Sequence, residues 1–203
     1  MRDLGGTRAG FRETVSADLA AMAELKKARW PSALGLIDIV MLPGTWAVFL
    51  FRISTELHRL RLRPLSRIVY FVNCVVFGVD LAPSARVGPG LALPHPVGVA
   101  FGEVRVGQRA RLMGGVRLGG AGAEDPDQDG FPTLGDDCYL FDGAKVFGSV
   151  VVGDRVVIGT NAVVSRDLPS NVVVLGNPAR VVRHRDSEAS SEATDLAGTE
   201  PSP

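Results

Sequence analysis

The stretch "TLGDDCYLFDGAKVFGSVVVGDRVVIGTNAVV", residues 133–164, carries an aliphatic residue at every sixth position: Leu134, Leu140, Val146, Val152, Ile158 and Val164. A step of six fits neither the 3.6-residue period of a helix nor the two-residue alternation of an ordinary strand. It is the signature of a parallel β-helix, in which short strands stack coil upon coil. The same beat runs upstream through Leu81, Val87, Leu93 and Val99, slips by one residue, and resumes at Val106, Leu112 and Leu118. The aliphatic residues are expected to fill the axis of the coil. Small or branched residues two positions earlier, among them Ala85, Ala110, Cys138, Ala144 and Ala162, share that interior. Glycine follows the beat at Gly88, Gly107, Gly119, Gly135, Gly153 and Gly159 and marks sharp turns rather than a phosphate cradle, since no GxxxxGK[ST] occurs.

The rest of the chain differs in texture. Residues 1–78 read as an α-helical N-terminal region, 79–182 as the β-helix with a loop insertion at 119–133, and 183–203 as a disordered polar tail. Helices are expected from Ser16 to just before Pro31, then over about 33–42, 45–62 and 65–78. The run "SALGLIDIVMLPGTWAVFLF", 32–51, is nearly long enough to span a bilayer, but Asp38 and the Pro43-Gly44 break favour a buried helix pair. The Arg-rich stretch 59–67 leaves peripheral membrane contact as a secondary expectation.

Composition bounds the function. Of 203 residues, 46% are hydrophobic, enough for the core of about one domain. Lys+Arg and Asp+Glu balance at 22 each, so no excess charge points to nucleic acid. Two cysteines, Cys74 and Cys138, sit in no CxxC, and no secretory leader pattern opens the chain; a reduced, cytoplasmic setting without a disulfide is expected. Cys138 falls on an interior position and reads as core.

The hexapeptide rhythm together with "GDRVVIGTNAVVSRDLPSNVVVLGNPARVV", 153–182, resembles the hexapeptide-repeat acyltransferases. Within that group, "PGTWAVFLFRISTELH" (43–58), "FGVDLAPSARVGPGLALPHPVGVAFGE" (77–103) and "GVRLGGAG" (115–122) are similar to serine O-acetyltransferase and its relatives in polysaccharide pathways. The resemblance implies a mainly β fold, a left-handed parallel β-helix, assembled as a homotrimer or, through the N-terminal helices, a hexamer. It implies a CoA-dependent O-acyltransferase with acetyl-CoA bound in the groove between subunits. His95 would be the general base and Asp80, fifteen residues earlier in "VDLAP", its carboxylate partner. The base would take the proton of a serine-like acceptor hydroxyl as that oxygen attacks the thioester. Glu103 and Phe131 would line the acceptor site. Gly120, Asp142 and Thr160 would meet coenzyme A, largely through main-chain groups, with Arg180 near a phosphate.

This sequence departs from the serine enzymes at Pro94 and at Gly130-Phe131, where the family has polar handles for serine. A saccharide or glycan-precursor hydroxyl is therefore the alternative acceptor, and a non-catalytic trimeric scaffold the alternative from another class. Asp125, Asp127, Asp129, Gly130 and Asp136 mimic a calcium loop, but Pro126 and Pro132 interrupt it and a solvated loop explains the composition. A zinc enzyme of the carbonic anhydrase type needs three histidines, and His58 and His184 lie in other regions than His95. No metal is expected.

Overall fold

A computed structural model describes residues 10–29, 36–120 and 130–185. Four helices come first: α1 (Phe11–Arg29), α2 (Leu36–Val40), α3 (Pro43–Arg59) and α4 (Arg63–Phe77). Helix α1 begins well ahead of Ser16, because the Glu13 carboxylate accepts the Gly10 N–H at 2.9 Å and so satisfies a free donor at the first turn. Helix α3 begins at Pro43 rather than Thr45, proline being suited to the first helical position, where its missing N–H costs nothing. Among the described residues no helix is long and apolar enough to cross a membrane.

Three sheets of short strands then form the walls of a prism. The first contains β1 (Asp80–Leu81), β3 (Ala100–Phe101), β6 (Arg117–Gly119), β9 (Lys145–Phe147) and β12 (Val163–Val164), in that order. The second contains β2 (Arg86–Val87), β4 (Arg105–Val106), β7 (Thr133–Leu134) and β10 (Val151–Val152). The third contains β5 (Arg111–Leu112), β8 (Tyr139–Leu140), β11 (Val157–Ile158), β13 (Val172–Leu175) and β14 (Arg180–His184). Every pairing is parallel except β13 with β14, whose hairpin closes the C-terminal end. Strand β14 continues to His184, two residues beyond the expected end of the β-helix at 182. The remainder of the expected tail and the calcium-like Asp125, Asp127 and Asp129 lie outside the described residues.

The register explains the beat. Leu118 lies beside Val146 and Val146 beside Val164, so each aliphatic residue stacks on its counterpart one coil away. All positions of the beat are buried except Val87, which is partly buried against the same core. Cys138 is fully buried, and desolvation pushes its thiol up to about 12.

Helix α3 packs on the first coils. Phe51 is fully buried and meets Phe101 edge-to-face at 5.2 Å. Helix α4 turns its polar side inward: its buried residues are Ser66 and Asn73, while Leu65, Ile68, Phe71, Val75 and Val76 are exposed within the chain. Hydrogen bonding decides which side turns in. Ser66 Oγ donates to Ser54 O at 2.8 Å and Asn73 Nδ2 to Ala47 O at 3.0 Å, so the polar residues face α3.

Candidate active site

Each coil turns at a corner between the third sheet and the first, and the turns stack. Gly98 N–H donates to Gly78 O (2.8 Å), Gly115 N–H to Val97 O (3.0 Å), Gly143 N–H to Gly114 O (2.8 Å) and Asn161 N–H to Asp142 O (2.9 Å). Glycines at 78, 98, 115 and 143 adopt positive φ, which lets successive turns lie close. His95, Asp142 and Thr160 are all exposed along this corner. A methyl group added to Gly114 would stand 3.5 Å from His95 Cβ and 3.4 Å from Asp142 Oδ1, so both side chains border the Gly114 turn.

His95 also lines a cleft of about 570 Å³, with Leu42, Pro43, Val76, Phe77 and Gly78 on the helical side and Pro94, Pro96 and Val97 beside it. The flanking prolines restrict the backbone on both sides of the imidazole. Helix α3 grips the preceding residues: Gly44 packs so closely on Leu93 that any β-carbon there would overlap the Leu93 carbonyl. Among the described residues the His95 ring has no hydrogen-bond or ion-pair partner.

Asp80 starts β1, its N–H donating to Val99 O at 2.9 Å, one coil below the His95 turn. Its carboxylate is not bonded to His95 within the chain. Instead Tyr70 Oη of α4 donates to Asp80 Oδ1 at 2.6 Å. That hydrogen bond, with burial added, pushes the Tyr70 hydroxyl well above its ordinary value, so it stays a neutral donor. Cys74, one turn on, is also raised, chiefly by burial.

The other predicted residues gather at the opposite edge of the first sheet. Strand β3 leads from the His95 corner toward Gly102-Glu103, and β6 from the Gly114-Gly115 turn toward Gly120. Phe131 lies with its ring against Gly102, close enough to leave no room for a β-carbon. It is 42% exposed. Glu103 accepts a hydrogen bond from Ser84 Oγ at 3.3 Å. A β-carbon on Gly120 would meet the Gly130 carbonyl at 3.5 Å. One chain thus brings together His95, Asp142 and Thr160 at one corner and Glu103, Phe131 and Gly120 at another. Gly120 does not share the edge of Asp142 and Thr160. Arg180 opens β14 after a turn that sits on β12, through Ala179 N–H to Val163 O (2.8 Å), and its guanidinium donates to Ala179 O at 3.1 Å.

Sequence reasoning missed Asp18 and Arg52. Arg52 donates to Asp18 through Nε (2.8 Å) and Nη2 (3.0 Å), and to the carbonyls of Val87 and Gly88 at 2.7 Å each. Asp18 Oδ1 in turn accepts the N–H groups of Gly90 and Leu91 at 2.8 Å. The network ties α1 and α3 to the strand that leads to His95. A lone arginine inside the apolar run "AVFLFRIS" was the available signal, since such a charge is rarely buried without a partner. No local signal marked Tyr70. Among the described residues no group of three His, Cys, Asp or Glu could hold a metal ion.

No family model matches the chain. A serine acetyltransferase of Synechococcus elongatus is 34% identical over 172 residues, covering 84% of this chain and 68% of that protein. One from Helicobacter pylori is 34% identical over 154 residues, covering 75% of this chain and 89% of the relative. The crystal structure of the Brucella abortus serine acetyltransferase in complex with coenzyme A superposes with a TM-score of 0.73 at 28% identity, over 83% of this chain and 68% of that one. The coil shares the left-handed β-helix of these enzymes, which settles the handedness that general crossover rules would have reversed. The stacked corner, the helical cap and the extent of these likenesses agree, and the chain belongs to the serine acetyltransferase family of acyltransferases.

Proposed function

We propose that this protein transfers the acetyl group of acetyl-CoA directly to the hydroxyl of a small serine-like acceptor, with His95 as general base. One observation carries the reading. An exposed imidazole with no protein partner among the described residues stands in a cleft, on the corner it shares with Asp142 and Thr160. A neutral ring so held keeps one nitrogen free to accept a proton. The relatives named above as serine acetyltransferases, one of them complexed with coenzyme A, support the donor and the acceptor class.

The step balances simply. The acceptor O–H gives its proton to His95 as its oxygen bonds to the thioester carbonyl carbon. The tetrahedral adduct then collapses, the C–S bond breaks, and the proton returns from the imidazolium to the departing CoA sulfur. Asp80 would stabilise the cationic ring. Base catalysis of this kind contributes about two to four orders of magnitude. Asp142 and Thr160 on the His95 edge, Gly120 on the other and Arg180 at the start of β14 are assigned to coenzyme A; Glu103 and Phe131 are assigned to the acceptor.

Because these groups occupy two edges of one sheet, a complete site needs two copies, the base edge of one facing the Phe131 edge of the next. A homotrimer meets that need. The exposed stripe Leu65, Ile68, Val72 and Val75 on α4 and the 71% exposed Val97 offer apolar surface for the contact. A hexamer through the N-terminal helices would extend it. A cytoplasmic setting fits two free cysteines.

A second acceptor class has its own support. Phe131 leaves 42% of its surface exposed where the resemblance implies polar handles for serine, and a partly exposed aromatic suits a saccharide ring. The experiment is a screen of L-serine and neutral sugars with acetyl-CoA, reading free thiol, on the wild type and His95→Gln. Turnover that falls at least a hundredfold in the variant, with assembly unchanged, supports the reading. Equal turnover in both, or none in the wild type with any acceptor, sinks it and favours a non-catalytic scaffold.

A further inference from the structure

We infer that Tyr70 is a positioning residue for this reaction, its hydroxyl pinning Oδ1 of Asp80 so that Oδ2 remains for the imidazolium formed on His95. The inference rests on the base assignment above and extends it to a residue outside the β-helix.

Asp80 needs such a tether. It begins a two-residue strand and its carboxylate is exposed, so an unrestrained side chain would rotate in solvent and its charge would be screened. Tyr70 supplies the tether from a rigid base. Helix α4 is fixed to α3 through Ser66 and Asn73, and α3 is fixed to the coil through Arg52. The 2.6 Å O–H···O contact is a charge-assisted bond, stronger than a neutral one. It fills Oδ1 alone; Oδ2 has no partner among the described residues. The hydroxyl also stays protonated, as the carboxylate beside it requires. Phe77 and Gly78, which end α4, line the His95 cleft, so the same helix sets both the carboxylate and one wall of the site.

The test is a double-mutant cycle on the full chain with Tyr70→Phe, Asp80→Asn and the pair, reading kcat and KM with acetyl-CoA and the best acceptor of the screen. Phenylalanine keeps the ring and removes only the hydroxyl. Tyr70→Phe is expected to lower kcat about tenfold, as loss of one hydrogen bond to a charged group does. KM for acetyl-CoA should stay within about twofold, since the tether touches no donor group. In the Asp80→Asn background the same change should cost little, because the group being positioned is already gone. A Tyr70→Phe loss that persists undiminished in that background, or no loss at all, overturns the inference. So does a loss matched by a fall in melting temperature. If Asp80→Asn and His95→Gln both leave turnover intact, the base assignment fails instead, which is a separate result.

Discussion

Asp18 and Arg52 form a buried pair, side chains 6% and 7% exposed, in which Asp18 Oδ1 and Arg52 Nη1 and Nη2 also hold the backbone of the first coil. A buried ion pair is often no better than apolar packing, yet removing one partner strands the other. Arg52→Met leaves the buried Asp18 carboxylate without its cation and the Val87 and Gly88 carbonyls without their donor, and a loss of about 3–5 kcal/mol is expected in urea unfolding. Arg109 and Asp137, also paired but 54% and 39% exposed, set the contrast: Arg109→Ala should cost under about 1 kcal/mol. Equal losses in the two variants would contradict this ranking.

Gly44 tests whether the helical region aims His95. Alanine there must push α3 away from Leu93, since the obstacle is backbone and cannot rotate aside. Gly44→Ala is expected to cut kcat severalfold or more while the β-helix, followed by far-UV circular dichroism, persists. Wild-type turnover would mean that α3 does not set the approach to His95.

Phe131 lies over Gly102 at the acceptor edge. Phe131→Ala should raise KM for the acceptor severalfold and leave KM for acetyl-CoA unchanged, as loss of a contact to one substrate does. A change confined to acetyl-CoA would assign the ring to the donor instead.

The Asp137 carboxyl is held below its ordinary value, first by its hydrogen bond from Arg109. A depressed folded pKa contributes stability above the unfolded value near 4 and loses it as pH falls through the lower folded value. Thermal melts between pH 5 and 2 should therefore show slightly less acid destabilisation in Arg109→Ala than in the wild type. An identical slope would show that solvent screens the pair completely.

Burial raises the Cys138 thiol to about 12, so almost no thiolate forms at pH 8. Iodoacetamide should leave Cys138 unmodified in the native protein and alkylate it in denaturant, read by peptide mass. Modification under native conditions would mean that the coil opens.

The β-helix was legible because its rule is local and repeated. Leu134, Leu140 and Val146 announce three walls and an axis without any knowledge of what they touch. The edges of Glu103 and His95 were not legible as separate, because the step of six says where a side chain turns inward and not which corner faces a neighbour. Tyr70 and Arg52 were missed for a related reason: each bonds to a group far along the chain, and nothing in their own surroundings reports it.

Sequence alone determined the coil, its interior, the turn that presents His95 and the helical character of the described residues ahead of Gly78, all consequences of short-range pattern. Only the tertiary structure decided that Ser66 and Asn73 turn α4 inward, that Asp18 and Arg52 lock the cap to the coil, and that Asp80 is held by Tyr70. Those outcomes are satisfied hydrogen bonds between distant segments, and such bonds exist only once packing has chosen which polar groups meet.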